Sequence, residues 1–401
     1  MVQWSGYSDG ERIKLLRGAE LTQEQLAEAA GVSVATIRKA ERDLGVSLTT
    51  LMRISSALHT DVSVILGQQA PRRAMRGGDR AMLRELSTAV HDTAVGVGLD
   101  VEPIAPREVA LGLASAWERY RAGDFIGAGT RVAPALRETA VAVGGARPGE
   151  EGAARGLLAD AYRLAAYVAN QFGARDLAYA GIGHAQAQAE RSGDIVREAM
   201  IASGRSWICL RDSRLDQAAV AARHSFETIE PRYSDRDAAH LATYGWHVTF
   251  GAVVAARSGD VDTAEDMLSH GRAVAARMGR DVAVNGTAFG PATVNAQAIG
   301  ISVSSGRPAK ALSLYREIGD TSALTPSARH RLLLDVALAQ ADTRQPDAAL
   351  DTLLDVCSSA PGWARHQGLP GVIAQKVGSS NATTSKMRKL AAILGTAVGV
   401  R

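Results

Sequence analysis

The stretch LTQEQLAEAAGVSVATIRKAE, residues 21–41, decides the reading of the N-terminal part of the chain. Thr22 followed three residues later by Gln25 is a capping-box start, so a helix is expected from Gln23 to about Ala30. Gly31 can take the left-handed conformation that turns the chain, and Ser33 then caps a further helix from Val34 to about Leu44. Leu26, Ala27, Ile37 and Ala40 share the inner face, with Val32 packed behind the turn. Ala27 is small enough for the next helix to approach closely. Val34, Ala35, Thr36, Arg38, Lys39 and Arg42 are left on the other faces of the later helix. Outward from this core, helices are expected over Glu11–Arg17 and Leu48–Leu58, with a short turn of helix over Val62–Leu66.

This arrangement resembles the phage-repressor, or XRE, family of helix-turn-helix transcription regulators, over about residues 11–67. Small residues, glycine and apolar positions all fall in register with it. The resemblance implies that Gln23 contacts a DNA phosphate, and that Ser33, Val34, Ala35 and Thr36 open a recognition helix against base edges, with Lys39 reaching bases as well. Arg38 and Arg42 are expected at the same DNA surface. Val34 and Ala35 have no hydrogen-bonding side chain and would meet thymine methyl groups. The resemblance also implies an ion pair between Glu41 and Arg17 of the first helix.

The 401 residues exceed one simple helical core. Only 4% are aromatic, and alanine and leucine fill most apolar positions, which favours close-packed helices over sheets. The net charge is +3, of which the first 80 residues carry +2. Arg72, Arg73, Arg76 and Arg80 form a short basic strap that reads equally as phosphate contact or solvated linker. Three parts follow: a head over 1–70, a linker and connecting helix over 71–104, and a helical array over 105–401.

In that last part, six turns separate amphipathic helix pairs, beginning at Gly123, Gly173, Ser213, Gly259, Gly306 and Arg344. Each is followed by an alanine opening the second helix: Ala128, Ala178, Ala218, Ala264, Ala311 and Ala348. Gly259-Asp260-Val261-Asp262-Thr263-Ala264 resembles the core of a tetratricopeptide repeat, and the resemblance covers about residues 105–360 with intervals longer than that family's. The expected fold is all-α: a five-helix helix-turn-helix domain, then an α-solenoid of such pairs, closed by a capping helix over Ser385–Leu394. On its concave face, equivalent positions hold Trp117, Tyr167, Trp207 and Val253, flanked by Arg163 and Ser203, by Tyr120 and Asn170, and by Arg211 and Arg257. An aromatic ladder edged with Arg and Asn suits a peptide or an amphipathic small molecule, though the same rings could simply fill a core. Trp246 is a further candidate lining residue. So is Phe289, as a lid in the Asn285–Asn295 stretch, which reads equally as a loop at the mouth of the groove or as a plain connection.

Catalytic motifs are missing. Gly6-Tyr7-Ser8-Asp9-Gly10 has the G-x-S-x-G spacing but no strand before it, and reads as a flexible leader. Val95–Gly98 lacks a strand-turn-helix context. His240 and His247 have no carboxylate at ligand spacing, so no metal and no cofactor are expected. Cys209 and Cys357 lie far apart, no apolar run reaches 18 residues and no signal pattern opens the chain, which together suggest a cytoplasmic protein without membrane contact. The expected partners are double-stranded DNA, a second copy of the chain, and either a peptide or small-molecule signal or a partner protein.

Overall fold

Ser8, Thr22, Ser33, Ser47 and Asp61 each precede a helix, and each side chain accepts a hydrogen bond from a first-turn backbone N–H. Such caps satisfy donors that a helix start leaves open. They begin α1 (Asp9–Arg17), α2 (Gln23–Ala30), α3 (Val34–Glu41), α4 (Leu48–Ala57) and α5 (Val62–Ile65). The computed structural model describes residues 4, 7–18, 21–58, 60–67, 77–100, 102, 104–284, 287–378 and 384–394. Arg72, Arg73 and Arg76 of the basic strap fall outside them; Arg80 is exposed on α6 (Gly77–Val95).

Ile13, Leu26, Ile37, Ile54 and Ile65 close the core of the head. Gly31 is left-handed, with φ of 60°. A Cβ on Gly10 would stand 2.6 Å from the Glu41 carbonyl oxygen, so α1 crosses α3 backbone against backbone. The recognition helix is shorter than expected. It ends at Glu41, because Asp43 turns left-handed (φ 58°) and its carboxylate accepts from the Gly10 N–H at 2.7 Å. Leu44 is left exposed beyond it. Nor is the start of the chain a free leader. The Trp4 indole donates to the Val64 carbonyl at 2.9 Å, the Trp4 carbonyl accepts from Arg12, and Ser8 caps α1. Gly6 lies outside the described residues.

Beyond α6 come six helix pairs in chain order: α7 (Pro106–Arg121) with α8 (Phe125–Gly144), α9 (Glu151–Gln171) with α10 (Arg175–Ser192), α11 (Ile195–Arg211) with α12 (Leu215–Glu227), α13 (Ala238–Ser258) with α14 (Val261–Met278), α15 (Pro291–Ser304) with α16 (Pro308–Glu317), and α17 (Pro326–Asp342) with α18 (Pro346–Ser359). Within each pair the short connection forces antiparallel packing. The first helices of successive pairs also touch, from α7 through α17.

One rule governs all six turns. The residue leading each is left-handed (Gly123, Gly173, Ser213, Gly259, Gly306, Arg344), and the alanine five positions later is wholly buried. This corrects the sixth unit: the packed alanine is Ala349, whereas Ala348 is exposed. Five residues beyond the turn is where the second helix first faces its partner, and only a methyl group fits between two backbones there.

The array ends in α19 (Pro361–Ala364), α20 (Leu369–Gly378) and α21 (Thr384–Leu394), which pack against α18. Its last part also meets its first. Ser327 Oγ donates to the Arg121 carbonyl at 2.8 Å, the Trp363 side chain rests on Gly123, and the His366 ring lies 5.4 Å from Phe125 and 4.5 Å from Phe172. One apolar cluster runs from Ile13 and Ile65 of the head through Leu86 and Leu164 to Leu338, Leu353 and Ile373.

The Asn285–Asn295 stretch is not a loop with a lid. β1 (Val282–Val284) and β2 (Thr287–Phe289) form an antiparallel hairpin, and Asn295 lies within α15; Asn285 and Gly286 are outside the described residues. Phe289 is wholly buried against Gly245, where a Cβ would stand 2.1 Å from its ring, so the absence of a side chain on α13 makes the ring's niche. No described helix is long and apolar enough to cross a membrane.

Candidate nucleic-acid interface and interior arginine cluster

The recognition helix α3 buries Ile37, Ala40 and Glu41 and turns Ala35, Arg38, Lys39 and Arg42 to solvent, with Ser33 exposed just ahead of it and Val34 and Thr36 half-buried. Glu41 locks it from within. Its carboxylate accepts from Arg17 Nε at 2.8 Å and from Gln23 Nε2 at 2.6 Å. The Arg17–Glu41 pair thus forms, and Gln23 is held by protein partners; its Oε1 also accepts from Arg38 Nε at 3.3 Å. Arg38 makes an exposed ion pair with Glu24 at 3.4 Å, while Lys39 and Arg42 have no side-chain partner among the described residues. Ser33 and Thr36 share a hydroxyl hydrogen bond of 2.8 Å. Arg38, Lys39 and Arg42 thus stand exposed, while Glu41 and its partner Arg17 are held on the inner side.

The aromatic residues of the first helices meet in one run. Trp117 lies 5.8 Å from Tyr120 and 5.7 Å from Tyr167, and Tyr167 lies 5.1 Å from Trp207. The Arg163 guanidinium stacks 4.6 Å above the Trp117 ring, and Arg211 stands 5.6 Å from that of Trp207. Tyr120, Tyr167 and Trp207 keep part of their surface accessible; Trp117 and Arg163 are buried. Two expected lining residues lie apart from this run: Trp246 packs on the neighbouring core of α13, and Phe289 belongs to that core's interior. Asn170 is wholly buried, accepts from Arg175 through Oδ1 and leaves Nδ2 unpartnered, so it is no open backbone clamp.

A family model described as helix-turn-helix matches residues 13–65. The match spans the head from α1 through α5 and no part of the array. No curated protein and no solved structure matches the chain.

The helix-turn-helix touches the array through a charge. The Asp61 carboxylate, whose Oδ1 caps α5, accepts from Arg175 Nη2 through Oδ2. Arg175 also bonds the Asn170 carbonyl at 2.7 Å. Arg211 donates to Gln171 Oε1 at 2.8 Å, and Gln171 Nε2 donates to the Tyr120 hydroxyl at 3.2 Å, which ties the cation to the ring run. Arg331 forks onto Asp335 with two bonds of 3.1 Å. Burial would raise the Asp61 carboxyl, but Arg175 and Arg211 overcome it and hold it below the usual carboxylate value. Burial pushes Arg211 and Arg257 each down to about 10; Asp61 opposes the fall at Arg211, and Arg331 adds to it at Arg257. Both remain charged at neutral pH. A second contact, Gln375 Nε2 to Asp9 Oδ2 at 3.1 Å, joins the head to α20.

Asp61, Gln171, Arg175 and Arg331 are not among the residues expected from sequence to form a site. Register could have found two of them. Counting back two residues from the first four left-handed turn residues gives Arg121, Gln171, Arg211 and Arg257; counting thirteen from Arg344 gives Arg331, on the same helical stripe. Asp61 carries only an N-cap signal, which says nothing of a distant partner.

Two other features lie away from this interior. An open groove of about 430 Å³ between α10, α11 and α12 is lined by Glu190, Ala202, Arg205, Val220 and His224. It holds no buried polar side chain that would fix a ligand. His240 and His247 meet the backbone carbonyls of Ile229 and Ser225 at 2.7 and 3.1 Å. Among the described residues, no group of three or more His, Cys, Asp or Glu side chains is placed to hold a metal ion.

Proposed function

We propose that the protein is a DNA-binding transcription regulator in which a tetratricopeptide-like array receives a signal and alters how the helix-turn-helix engages its operator. The observation that carries this reading is the locked, outward-facing recognition helix. Glu41 fixes α3 from the inside, while Arg38, Lys39 and Arg42 stand exposed on an element whose family model is a DNA-binding one. Ser33, Val34, Ala35 and Thr36 lead the helix into the major groove, and Gln23 reaches phosphate after exchanging its protein partners. Two copies bind together, since single heads of this size contact too few base pairs for a selective site.

The tetratricopeptide-like reading of the array is supported by the left-handed turn, the alanine five residues on and the adjacency of the first helices. The signal reading is supported by the ring run and its arginines, which line the interior formed by those helices. The array's ends meet, which favours a small ligand over an extended peptide. Selection from a random duplex library with the full chain tests the DNA reading. One enriched motif in two half-sites, spaced by about a helical turn, is expected. A library that stays random would remove the regulator reading.

A further inference from the structure

The interior holds more positive charge than its own carboxylates answer. Arg175, Arg211, Arg257 and Arg331 come from α10, α11, α13 and α17, and their charges act on one another or on the shared Asp61. Arg331 has Asp335, and Arg175 has Asp61, with Asp212 farther off at 3.8 Å. Arg257 has no hydrogen-bond or ion-pair partner among the described residues. Charges act on it from both sides: Arg331 and Arg211 repel it, while the carboxylates of Asp335 and Asp61, each bonded to another arginine, attract it. Its side chain is half-buried, two residues before a left-handed turn on α13, the same register that Arg211 holds on the adjoining α11. A guanidinium does not shed its proton at neutral pH, and one without a direct partner in a desolvated place is costly. An anion resolves that cost, and beside Arg211 the rings of Trp207 and Tyr167 offer flat apolar surface.

We propose that this interior binds a small amphipathic anion, with its acidic group on Arg257 and Arg211 and its planar body against Trp207 and Tyr167, and that Asp61 of the head is the built-in competitor for the same arginines. The proposal rests on the signal-receiving reading above and gives that signal a chemistry. It also gives a route for the signal to travel. The carboxylate that caps α5 is the one that pairs with Arg175, so an incoming anion that takes over the arginine charge loosens the hold of the array on the head. Binding of ligand and docking of the head then oppose each other by the same factor in both directions. The recognition face is already exposed in the docked head, so release changes how two heads are spaced rather than whether α3 can be reached.

The test uses the full chain and the fluorescent anion 1-anilinonaphthalene-8-sulfonate, with uncharged N-phenyl-1-naphthylamine as its neutral counterpart. Saturable binding of the sulfonate is expected at one site, at least about tenfold tighter than the neutral dye. Equal affinity for the two dyes in the unmodified chain would overturn the anion site without recourse to any variant. Arg257→Met keeps most of the side-chain bulk and should weaken the sulfonate about tenfold or more; Arg257→Lys should restore part of the loss. Asp61→Asn retains an N-cap acceptor for α5 and should tighten the sulfonate about fivefold. Unchanged or weaker binding in that variant would overturn Asp61 as competitor. The assay contains no DNA, so its failure leaves the regulator reading to the duplex selection, and a failed selection leaves the anion site standing.

Discussion

The head and the array are built by the same local rule and point their cations in opposite directions. In both, a capped helix ends on a left-handed residue and a buried alanine lets the next helix come close: Gly31 with Ala27 and Ala40 in the head, Gly259 with Ala264 in the array. In the head, the short helices wrap one small core, and Arg38, Lys39 and Arg42 are left on the convex outside. In the array, six pairs stack until their ends meet, and Arg175, Arg211, Arg257 and Arg331 act on one another or on Asp61 in the interior. The difference teaches that helical spacing assigns a cation to a face, while curvature assigns that face to a partner. On the proposed reading, the outward face serves a long polyanion and the inward one a small anion.

The comparison breaks most sharply on the head. Replacing Arg38, Lys39 and Arg42 together with alanine should weaken duplex binding about a hundredfold or more, and lower the slope of log affinity against log salt by up to about three. Titrations at several salt concentrations check this. Unchanged slope would mean that these cations face water and not phosphate. Glu41→Ala comes next. It strands Arg17 and Gln23 beside an apolar core and should cost about 3 kcal/mol of stability in urea unfolding, at the lower end for a broken buried pair because Arg17 keeps partial access to water. A loss below about 0.5 kcal/mol would show that α3 is held by packing alone.

Two smaller tests sharpen the array side. Ala349→Leu should destabilise by about 1–3 kcal/mol through overpacking, while Ala348→Leu, on an exposed position, should stay within about 0.5 kcal/mol. Equal effects would dissolve the five-residue register. The last concerns pH. His247 is buried on α13, its Nδ1–H donating to the Ser225 carbonyl, and burial lowers its pKa to about 4, with Arg163 adding to the fall. The unfolded chain takes up this proton near the ordinary histidine value of about 6.5, before the folded chain does. Stability from this residue is therefore present above that value and is lost as pH falls toward 4. At pH 5 the loss relative to pH 7 should be roughly 1–2 kcal/mol. The difference in thermal unfolding between the parent chain and His247→Gln isolates it, because other groups cancel between the two. A difference independent of pH would mean that the fold does not shift the titration of His247.

Much of this was legible in one dimension. The capping box at Thr22, the left-handed glycine, the Arg17–Glu41 pair and the six turns all depend on residues a few positions apart or on a motif that fixes its own geometry. The sixth alanine and the end of α3 were displaced for local reasons that spacing blurs: a non-glycine left-handed residue at Arg344, and a carboxylate at Asp43 that reaches back to Gly10. Phe289 misleads because glycine and proline mark a break in a helix without saying whether the break faces water. Here they lead into a hairpin, and the niche for the ring was made by Gly245, forty-four residues earlier.

The sequence by itself determined the helices, their caps, their turns and which stripe of each helix is apolar, because those follow from backbone geometry and nearest-neighbour hydrogen bonds. It also determined that the first 67 residues make a helix-turn-helix with a basic outer face. Only the tertiary structure decided that the array closes on itself, that Asp61 of the head reaches Arg175, and that Arg257 has no direct hydrogen-bond or ion-pair partner among the described residues. Those contacts join residues more than a hundred positions apart, or leave one unpaired because of where the others went. Their positions depend on small rotations between stacked helices summed over the whole array, and no local signal in the chain records that sum.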